Sequence, residues 1–304
     1  MMQSIKDMMK DQIENPTVVK RREALKVRLL QHDVIQQFIT DNQIPEDIVT
    51  VSFPKFFEYL TEKERFDKTG ECQNPGFEPL LMYENESVVV SYAPTKEFLQ
   101  EQEKREFINR IQTFGMSSHI KNITLNTIDL DAENKEAVLY FRTFLEQLTQ
   151  GKSPKGAYLY GAFGVGKTHL LGALAGTLSK QGYSSYLAHV PSLVVELKAS
   201  IASNQVSDKL DTIKKAPILM LDDIGGESLT NWVRDDVFMV ILDYRMRENL
   251  PTFFTSNLSF DDLQEHFTNS TQTEDERKSM RLMERVKFLG QPFNIKGANR
   301  RNQQ

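Results

Sequence analysis

The stretch "GAFGVGKTHL", residues 161–170, has the residue spacing of a phosphate-binding loop. In the pattern G-x-x-x-x-G-K-[ST], glycines allow backbone N–H groups to turn toward phosphate oxygens, because no Cβ stands in the way. A short apolar run, 157–160, precedes the loop, and a segment of helical character follows it. This is the strand-to-helix context that the pattern requires, so the sequence predicts a nucleoside triphosphate site.

Individual residues of the loop have predicted roles. Lys167 is expected to reach the β- and γ-phosphates, and the Thr168 hydroxyl is expected to ligate Mg²⁺. The helix that begins there adds its positive N-terminal end, which favours bound anions. The predicted nucleotide contacts are Gly161, Ala162, Phe163, Gly164, Val165, Gly166, Lys167, Thr168 and His169.

Two later segments end in polar groups where a buried strand is expected to end. In "ILMLDDIG", residues 218–225, Asp222 is placed to hold Mg²⁺ together with Thr168, and Asp223 to orient or deprotonate an attacking water. In "FFTSNLSF", residues 253–260, Asn257 is placed to bond the γ-phosphate or that water. The alternative for Asn257 is an ordinary turn-capping role.

Apolar and polar patterning predicts two domains. Residues 119–304 alternate strands and helices, which is typical of an α/β domain with a parallel sheet flanked by helices. Residues 1–94 are expected to form a smaller, mostly helical N-terminal domain with a little β structure, from "PLLMY" and "SVVVSY". The highly charged stretch 95–118 is interpreted as an exposed helical linker.

Composition narrows the class of protein. The chain has 304 residues, a formal net charge of −5 and one cysteine, Cys72. A single cysteine can form neither an internal disulfide nor a cysteine-rich zinc site, which fits a reducing cytosol. No stretch approaches the roughly 18 apolar residues of a membrane span, and the charged N-terminus does not have the pattern of a signal peptide. We therefore expect a cytoplasmic protein with no membrane partner.

The C-terminal stretch, 277–304, is basic although the whole chain is acidic. Its arginines are candidates to contact phosphates, either in the same chain or from a neighbouring subunit. A patch for a nucleic-acid backbone and a solvated basic tail are the alternatives. The eight basic residues, set against the single acid Glu284, are Arg277, Lys278, Arg281, Arg285, Lys287, Lys296, Arg300 and Arg301.

Five motifs in order, "GAYLYGAFGVGKTHLLGALA", "ILMLDDIG", "LPTFFTSN", "RLMERV" and "IKGANRR", resemble those of bacterial primosomal helicase loaders of the DnaI/DnaC type. Those proteins are AAA+ ATPases related to the initiator DnaA. The resemblance is close over about 120–304 and looser in the N-terminal region. It implies ATP and Mg²⁺ as cofactors, self-association in the ATP state, and other primosome or initiator proteins as partners. It also implies a protein that binds the replicative hexameric helicase and delivers it onto single-stranded DNA.

The resemblance also assigns roles to three C-terminal positions. Asn257 resembles sensor 1, Arg285 in "MERV" resembles the arginine finger, and Arg301 in "GANRR" resembles sensor 2, with Arg300 as the adjacent alternative. These roles would complete a catalytic set with Lys167, Asp222 and Asp223. They are carried over by motif position alone.

The chain departs from the family pattern at two points. Loaders of Gram-positive bacteria often carry an N-terminal zinc site, whereas "KTGECQNPGFEP" supplies Cys72 alone, so no zinc is expected. Many AAA+ proteins have glutamate where this chain has Asp223. The shorter side chain leaves the carboxylate farther from the water, so we expect slow turnover.

Other nucleotide-binding proteins are alternatives. An IstB-like transposition helper shares nearly all of the C-terminal motifs, but it usually has no N-terminal domain of about 90 residues of this kind. A DnaA-type initiator should carry a DNA-binding module after the ATPase domain. A small-molecule kinase should have a phosphoacceptor site, and nothing marks one here.

Overall fold

The structure, a computed structural model, describes residues 16–268 and 273–299. Residues Arg300 and Arg301, one of which was expected to be sensor 2, lie outside the described part. Contacts divide the chain into two units between Glu103 and Lys104. No helix within the described ranges is long and apolar enough to cross a membrane.

The first unit is mostly helical, as the sequence predicts. Four helices are followed by an antiparallel hairpin, whose turn residues Asn85 and Glu86 have φ of 47° and 56°. Positive φ at both positions matches the tight turns that suit the twist of paired strands. The core contains Ile35, Phe56, Tyr59 and Val88. The elements are α1 (Pro16–Leu30), α2 (Asp33–Asp41), α3 (Glu46–Val51), α4 (Phe53–Thr69), β1 (Phe77–Glu84) and β2 (Ser87–Pro94).

The stretch interpreted as a linker contains two regular elements. Helix α5 (Lys96–Asn109) has no buried residue, as expected for a charged exposed helix. It is followed by strand β3 (Ile111–Phe114), which pairs with the large sheet. The division between the units falls within α5. The boundaries 1–94, 95–118 and 119–304 stay a prediction.

The second unit is built on a six-stranded parallel sheet in the order β3-β5-β6-β7-β4-β8. The inner strands are buried along their whole length or nearly so, which explains their continuous apolar runs. The remaining strands are β4 (Gly156–Tyr160), β5 (Ser185–His189), β6 (Ile218–Asp222), β7 (Thr252–Ser256) and β8 (Gly290–Asn294).

Helices cover both faces of this sheet. Successive residues of β6 lie in different core clusters: Met220 lies in one with Val138 and Leu174, and Leu219 and Leu221 lie in another with Leu193. The predicted α/β class, with a helix-flanked parallel sheet, is therefore confirmed. These helices are α6 (Lys135–Thr149), α7 (Lys167–Lys180), α8 (Val190–Ala199), α9 (Val206–Lys214), α10 (Met239–Arg247), α11 (Phe260–His266) and α12 (Thr273–Leu289), with two 3₁₀ turns (Ser118–Asn122, Leu125–Thr127) and a π-helix (Val233–Phe238).

Strand order brings the chemically interesting strand ends together. β4 lies beside β7, and β7 lies beside β6. Because these strands are parallel, their last residues, Tyr160, Asp222 and Ser256, lie at the same edge of the sheet. In open α/β sheets, ligands bind outside the carboxyl ends of the strands. The sheet therefore positions one candidate site at this edge.

Candidate nucleotide-binding site

The loop between β4 and α7 requires glycine for two reasons. Gly161 and Gly166 have φ of +147° and +99°, a region that L side chains rarely adopt. A Cβ on Gly161 would also lie 2.1 Å from the carbonyl oxygen of Ile295, just after β8. The loop is thus held against the chain that follows the edge strand.

The Lys167 ammonium group lies inside this loop. Its Nζ donates to the carbonyl oxygens of Gly161 and Ala162 and to Oδ1 of Asn257, each at 2.8 Å. The residue is only 8% exposed although it is charged. A buried ammonium needs such acceptors, and it places a positive charge where phosphate groups are expected.

The hydroxyl of Thr168 donates to Oδ1 of Asp222 at 2.8 Å, so the end of β6 meets the start of α7. Thr255 on β7 donates to the same oxygen at 2.6 Å. Burial raises the pKa of Asp222, which is 4% exposed, and the two threonine hydrogen bonds oppose that rise. Hydroxyl and carboxylate oxygens are the ligands that Mg²⁺ prefers, so this pair fits that ion.

Asp223 has an unusual backbone held by neighbours. Its φ is +62°, which is uncommon for a residue other than glycine and often occurs at functional sites. Its N–H donates to Thr255 Oγ1 at 2.9 Å, and Asn257 Nδ2 donates to its Oδ1 at 2.8 Å. His189 Nε2, at the end of β5, lies 3.9 Å from its Oδ2. This strained turn places the second carboxylate beside Asn257 and His189.

A cavity of about 780 Å³ joins these groups. Its volume is within the range of small-molecule and cofactor sites, about 300–1,000 Å³. One wall consists of the loop and the strand ends. The opposite wall comes from the segment before α6, and its lining residues are Ile120, Ile123, Thr127, Ile128, Asp129 and Asn134.

Two glycines of α7 allow this second wall to lie close to the helix. A Cβ on Gly176 would lie 1.9 Å from the Ile123 carbonyl oxygen, and one on Gly172 would lie 2.2 Å from Cγ1 of Ile120. The Leu125 N–H also donates to Thr177 Oγ1 at 2.9 Å. The helix that begins at the phosphate loop therefore also positions the apolar side of the cavity.

Most of the predicted site residues are brought together. The cavity is lined by Phe163, Gly164, Val165, Gly166, Lys167, Thr168, His169, Asp222, Asp223 and Asn257. Gly161 and Ala162 are not among the lining residues of the cavity; their carbonyl oxygens accept hydrogen bonds from Lys167. Arg285 is not among the lining residues; it lies on α12, paired with Asp243. Arg301 is outside the described residues.

Sequence reasoning missed three parts of the site. His189 and Thr255 both line the cavity, and a polar residue at the carboxyl end of a predicted parallel strand was an available signal. The wall formed by 120–134 carries no motif and offered no comparable signal.

The single cysteine, Cys72, lies in the first unit. Cys72 is buried, and its Sγ lies 3.2 Å and 3.1 Å from the carbonyl oxygens of Asn74 and Phe77. Within residues 16–268 and 273–299, no group of three or more His, Cys, Asp or Glu side chains is placed to hold a metal. The expectation that zinc is not bound stays a prediction.

Comparisons with known proteins agree with this architecture. Residues 2–92 match the family model "Primosomal protein DnaI N-terminus", and residues 84–304 match the model "IstB-like ATP binding protein". The chain is 36% identical to the replicative helicase loader DnaI of Bacillus subtilis (strain 168) over 298 residues. The alignment covers 94% of this chain and 95% of that protein.

Two solved structures are similar to about two thirds of the chain. A crystal structure of DnaI has a TM-score of 0.58 at 46% sequence identity; the match covers 62% of this chain and 98% of the chain in that structure. A putative primosome component from Streptococcus pyogenes serotype M3 has a TM-score of 0.53 at 40% identity and covers 65% of this chain and 98% of its own. The chain therefore belongs to the DnaI family of replicative helicase loaders, AAA+ ATPases with an IstB-like ATP-binding domain.

Proposed function

We propose that this protein uses ATP to load the replicative hexameric helicase onto single-stranded DNA when chromosome replication starts or restarts. One observation carries the proposal: a nucleotide-sized cavity with phosphate-loop and acidic residues occurs in the same chain as a DnaI-type N-terminal region. The first would supply a two-state switch and the second a place for the helicase to dock. Nucleotide chemistry supports the switch, and the match of residues 2–92 to the DnaI N-terminal model supports the proposed docking role.

ATP would bind with its phosphates against the loop and the N-terminus of α7. The Lys167 Nζ, now bonded to two loop carbonyls and to Asn257, would exchange carbonyl bonds for phosphate oxygens. The adenine would lie against the apolar wall that contains Ile120 and Ile123. Because that wall rests on α7, both ends of the nucleotide would be held by one helix.

Thr168 and Asp222 would hold Mg²⁺, which when bound neutralises charge on the β- and γ-phosphates. Asp223 would orient or deprotonate the attacking water, and Asn257 would position that carboxylate through its 2.8 Å hydrogen bond. The short Asp223 side chain supports slow turnover. A slow step suits a protein that changes partners once per cycle instead of moving continuously.

Assembly would depend on the triphosphate. Arg285 of one copy would contact the γ-phosphate bound by its neighbour, while Arg301 would act on the nucleotide of its own chain. An arginine supplied in trans contributes on the order of 10³- to 10⁵-fold in rate. Hydrolysis would remove the shared phosphate, so the copies would separate and release the helicase.

The remaining assignments complete the proposal. The N-terminal domain, about residues 1–94, would bind the helicase, and the basic C-terminal part would contact DNA transiently. Further primosome or initiator proteins would recruit the loader, and all of these steps would take place in the cytoplasm. Zinc has no role in this scheme.

Helicase loading by the full-length chain tests the proposal. Circular single-stranded DNA is mixed with the cognate helicase, and the helicase retained on DNA is measured with and without loader and ATP. We expect retention to require wild-type protein and ATP, to fail with Lys167→Ala, and to persist with the control Lys180→Ala, at the far end of α7. Wild-type protein that binds ATP but adds no helicase to DNA would overturn the assignment.

A transposition helper is the second candidate, because the IstB-like model covers residues 84–304. The match of residues 2–92 to the DnaI N-terminal model disfavours it, since a transposition helper has no need of a helicase-docking region. The two roles predict different partners. A chain that stimulates a transposase and ignores the helicase would support the second candidate.

A further inference from the structure

Arg285 is held by three hydrogen bonds on the surface of the second unit. Its Nε and one Nη donate to Oδ1 of Asp243 on α10, at 3.1 Å and 2.9 Å. Its other Nη donates to the carbonyl oxygen of Arg281, one turn earlier on α12, at 2.7 Å. The Arg285 side chain is 22% exposed and that of Asp243 is 33% exposed. The group is therefore partly shielded from water yet still reachable.

This arrangement fixes the guanidinium and leaves part of it available. A guanidinium has five N–H donors in one plane, and three of them are used here. Among the described residues, that leaves one N–H on each η nitrogen without an acceptor. A planar fork of this kind is the geometry with which arginine binds phosphate oxygens in pairs.

Asp243 is itself held in place. Its second oxygen, Oδ2, lies 3.2 Å from Nε of Arg247. Its helix packs in the same core cluster as α12, through Ile241 and Leu242 on one side and Val286 on the other. The carboxylate thus fixes the position of the Arg285 guanidinium relative to two helices that pack against each other and against the sheet.

We infer that Asp243 is a positioning residue that holds the Arg285 guanidinium ready for the phosphate of a nucleotide bound by a second copy of this chain. The inference rests on the proposed assembly of ATP-bound copies. Most surface ion pairs contribute only about 0–1 kcal/mol each to stability, so we expect the pair between Asp243 and Arg285 to add little to folding. A free arginine side chain has about 2 kcal/mol of rotamer entropy to lose on binding, and a pre-oriented one loses less.

The test uses Asp243→Asn in the full chain, together with Arg285→Ala and a matched control. Asparagine keeps the shape and one acceptor oxygen of Asp243. It removes the negative charge that attracts the two N–H donors of Arg285. We expect kcat for assembly-dependent ATP hydrolysis to fall about 10-fold or more while the Kd for ATP stays within twofold. A roughly 10-fold loss corresponds to about 1.4 kcal/mol. Asp211→Asn, which removes the ion pairs of Asp211 with Lys214 and Lys215 at the end of α9, should leave kcat unchanged.

Mixing separates positioning from general damage. Asp243→Asn copies retain an intact nucleotide site, and Lys167→Ala copies retain an intact Arg285 with its Asp243. A mixture of the two should recover hydrolysis, because each intact arginine can serve a neighbour's intact site. Asp243→Glu, which restores the charge, should recover part of kcat.

Each result decides a different statement. If Arg285→Ala keeps full assembly-dependent activity, the between-subunit site in the proposed function is wrong, and this inference fails with it. If Arg285→Ala loses activity while Asp243→Asn keeps or exceeds the wild-type rate, only the positioning role is wrong. If Asp243→Asn loses activity and mixing with Lys167→Ala gives no recovery, Asp243 supports the fold and the inference is overturned.

Discussion

Asn257 donates from its amide nitrogen to the carboxylate of Asp223 at 2.8 Å. The amide oxygen of the same side chain accepts from Lys167 Nζ, also at 2.8 Å. The two contacts fix which end of the amide faces which partner, since only the nitrogen can donate to a carboxylate. One side chain thus connects the lysine of the phosphate loop with the proposed water-orienting acid.

We expect Asn257→Ala to lower kcat for ATP hydrolysis by about 100-fold, the scale for losing one pre-organised donor in an active site. ATP affinity should change little, because the carbonyl oxygens of Gly161 and Ala162 still hold Lys167 in the loop until ATP binds. Asn257→Asp should be at least as damaging, since it adds a negative charge beside Asp223. Single-turnover hydrolysis and a nucleotide-binding titration measure both effects. An unchanged kcat in either variant would remove Asn257 from the catalytic set.

Lys167→Ala should weaken ATP binding by about 100-fold or more, which is a loss of about 2.7 kcal/mol. The buried ammonium lies within the loop, and alanine has no positive charge to bind the phosphates in its place. Fluorescent-nucleotide titration measures the change. Lys180→Ala, in the last turn of the same helix, is the control and should bind normally. Equal affinities in the two variants would contradict the assigned role.

Arg285→Ala should bind ATP normally and lose assembly-dependent hydrolysis by on the order of 10³-fold. The reason is its position: Arg285 does not line the cavity of its own chain. A mixture of the Arg285→Ala and Lys167→Ala proteins should recover activity, because the intact groups of two copies can form one complete site. A mixture no more active than either variant alone would argue against a shared site.

The sequence predicts the core of the nucleotide site because its parts are local. Gly161, Gly166, Lys167 and Thr168 fall within one turn between strand and helix, and a buried apolar run before Asp222 marks the partner strand. Strand alternation then predicts a parallel sheet, whose geometry brings such ends together. Each step needs only residue spacing and the periodicity of helix or strand.

Other features depend on contacts between distant segments, which single-sequence patterns do not record. The wall at 120–134 is placed by the small surface of α7 at Gly172 and Gly176, about 50 residues later. Arg285 pairs with Asp243, a residue of another helix that lies 42 positions earlier in the sequence. Strand β3 was not predicted, because its stretch is highly charged and only four residues form the strand. So short an edge strand gives too weak an apolar pattern to recognise.

Gly176→Ala should destabilise the protein by about 1–3 kcal/mol, the usual cost of adding a methyl group where there is no room. The new Cβ would lie 1.9 Å from a backbone oxygen, that of Ile123, so the whole segment must move. Because that segment lines the cavity, ATP affinity should fall as well. Gly172→Ala is the matched comparison, since its Cβ would meet a side-chain atom, Cγ1 of Ile120, at 2.2 Å, and the nearest backbone oxygen only at 3.2 Å. If Gly172→Ala is the more damaging in urea unfolding, this account of the wall is wrong.

Acid sensitivity is expected from Asp235, on the π-helix. It accepts from Arg234, which is fully buried, at 2.7 Å, and from Lys278 of α12 at 3.1 Å. The hydrogen bond from Arg234 is the main reason that the pKa of Asp235 is lowered from 3.8. A lowered folded-state pKa means that the stabilisation is fully present well above 3.8 and is lost as the pH falls through the folded-state value.

Asp235→Asn should therefore lower the free energy of unfolding by about 2 kcal/mol at pH 7, the scale of a hydrogen bond to a charged group. The gap between wild type and variant should narrow as the pH falls below 3.8, because the wild-type carboxyl group then also becomes neutral. Urea unfolding of both proteins across this range measures the gap. Asp236→Asn is the control, since Asp236 is exposed and has no ion pair among the described residues. A gap that stays constant down to the lowest pH at which both proteins fold would mean that shape, and not charge, makes Asp235 important for holding α12.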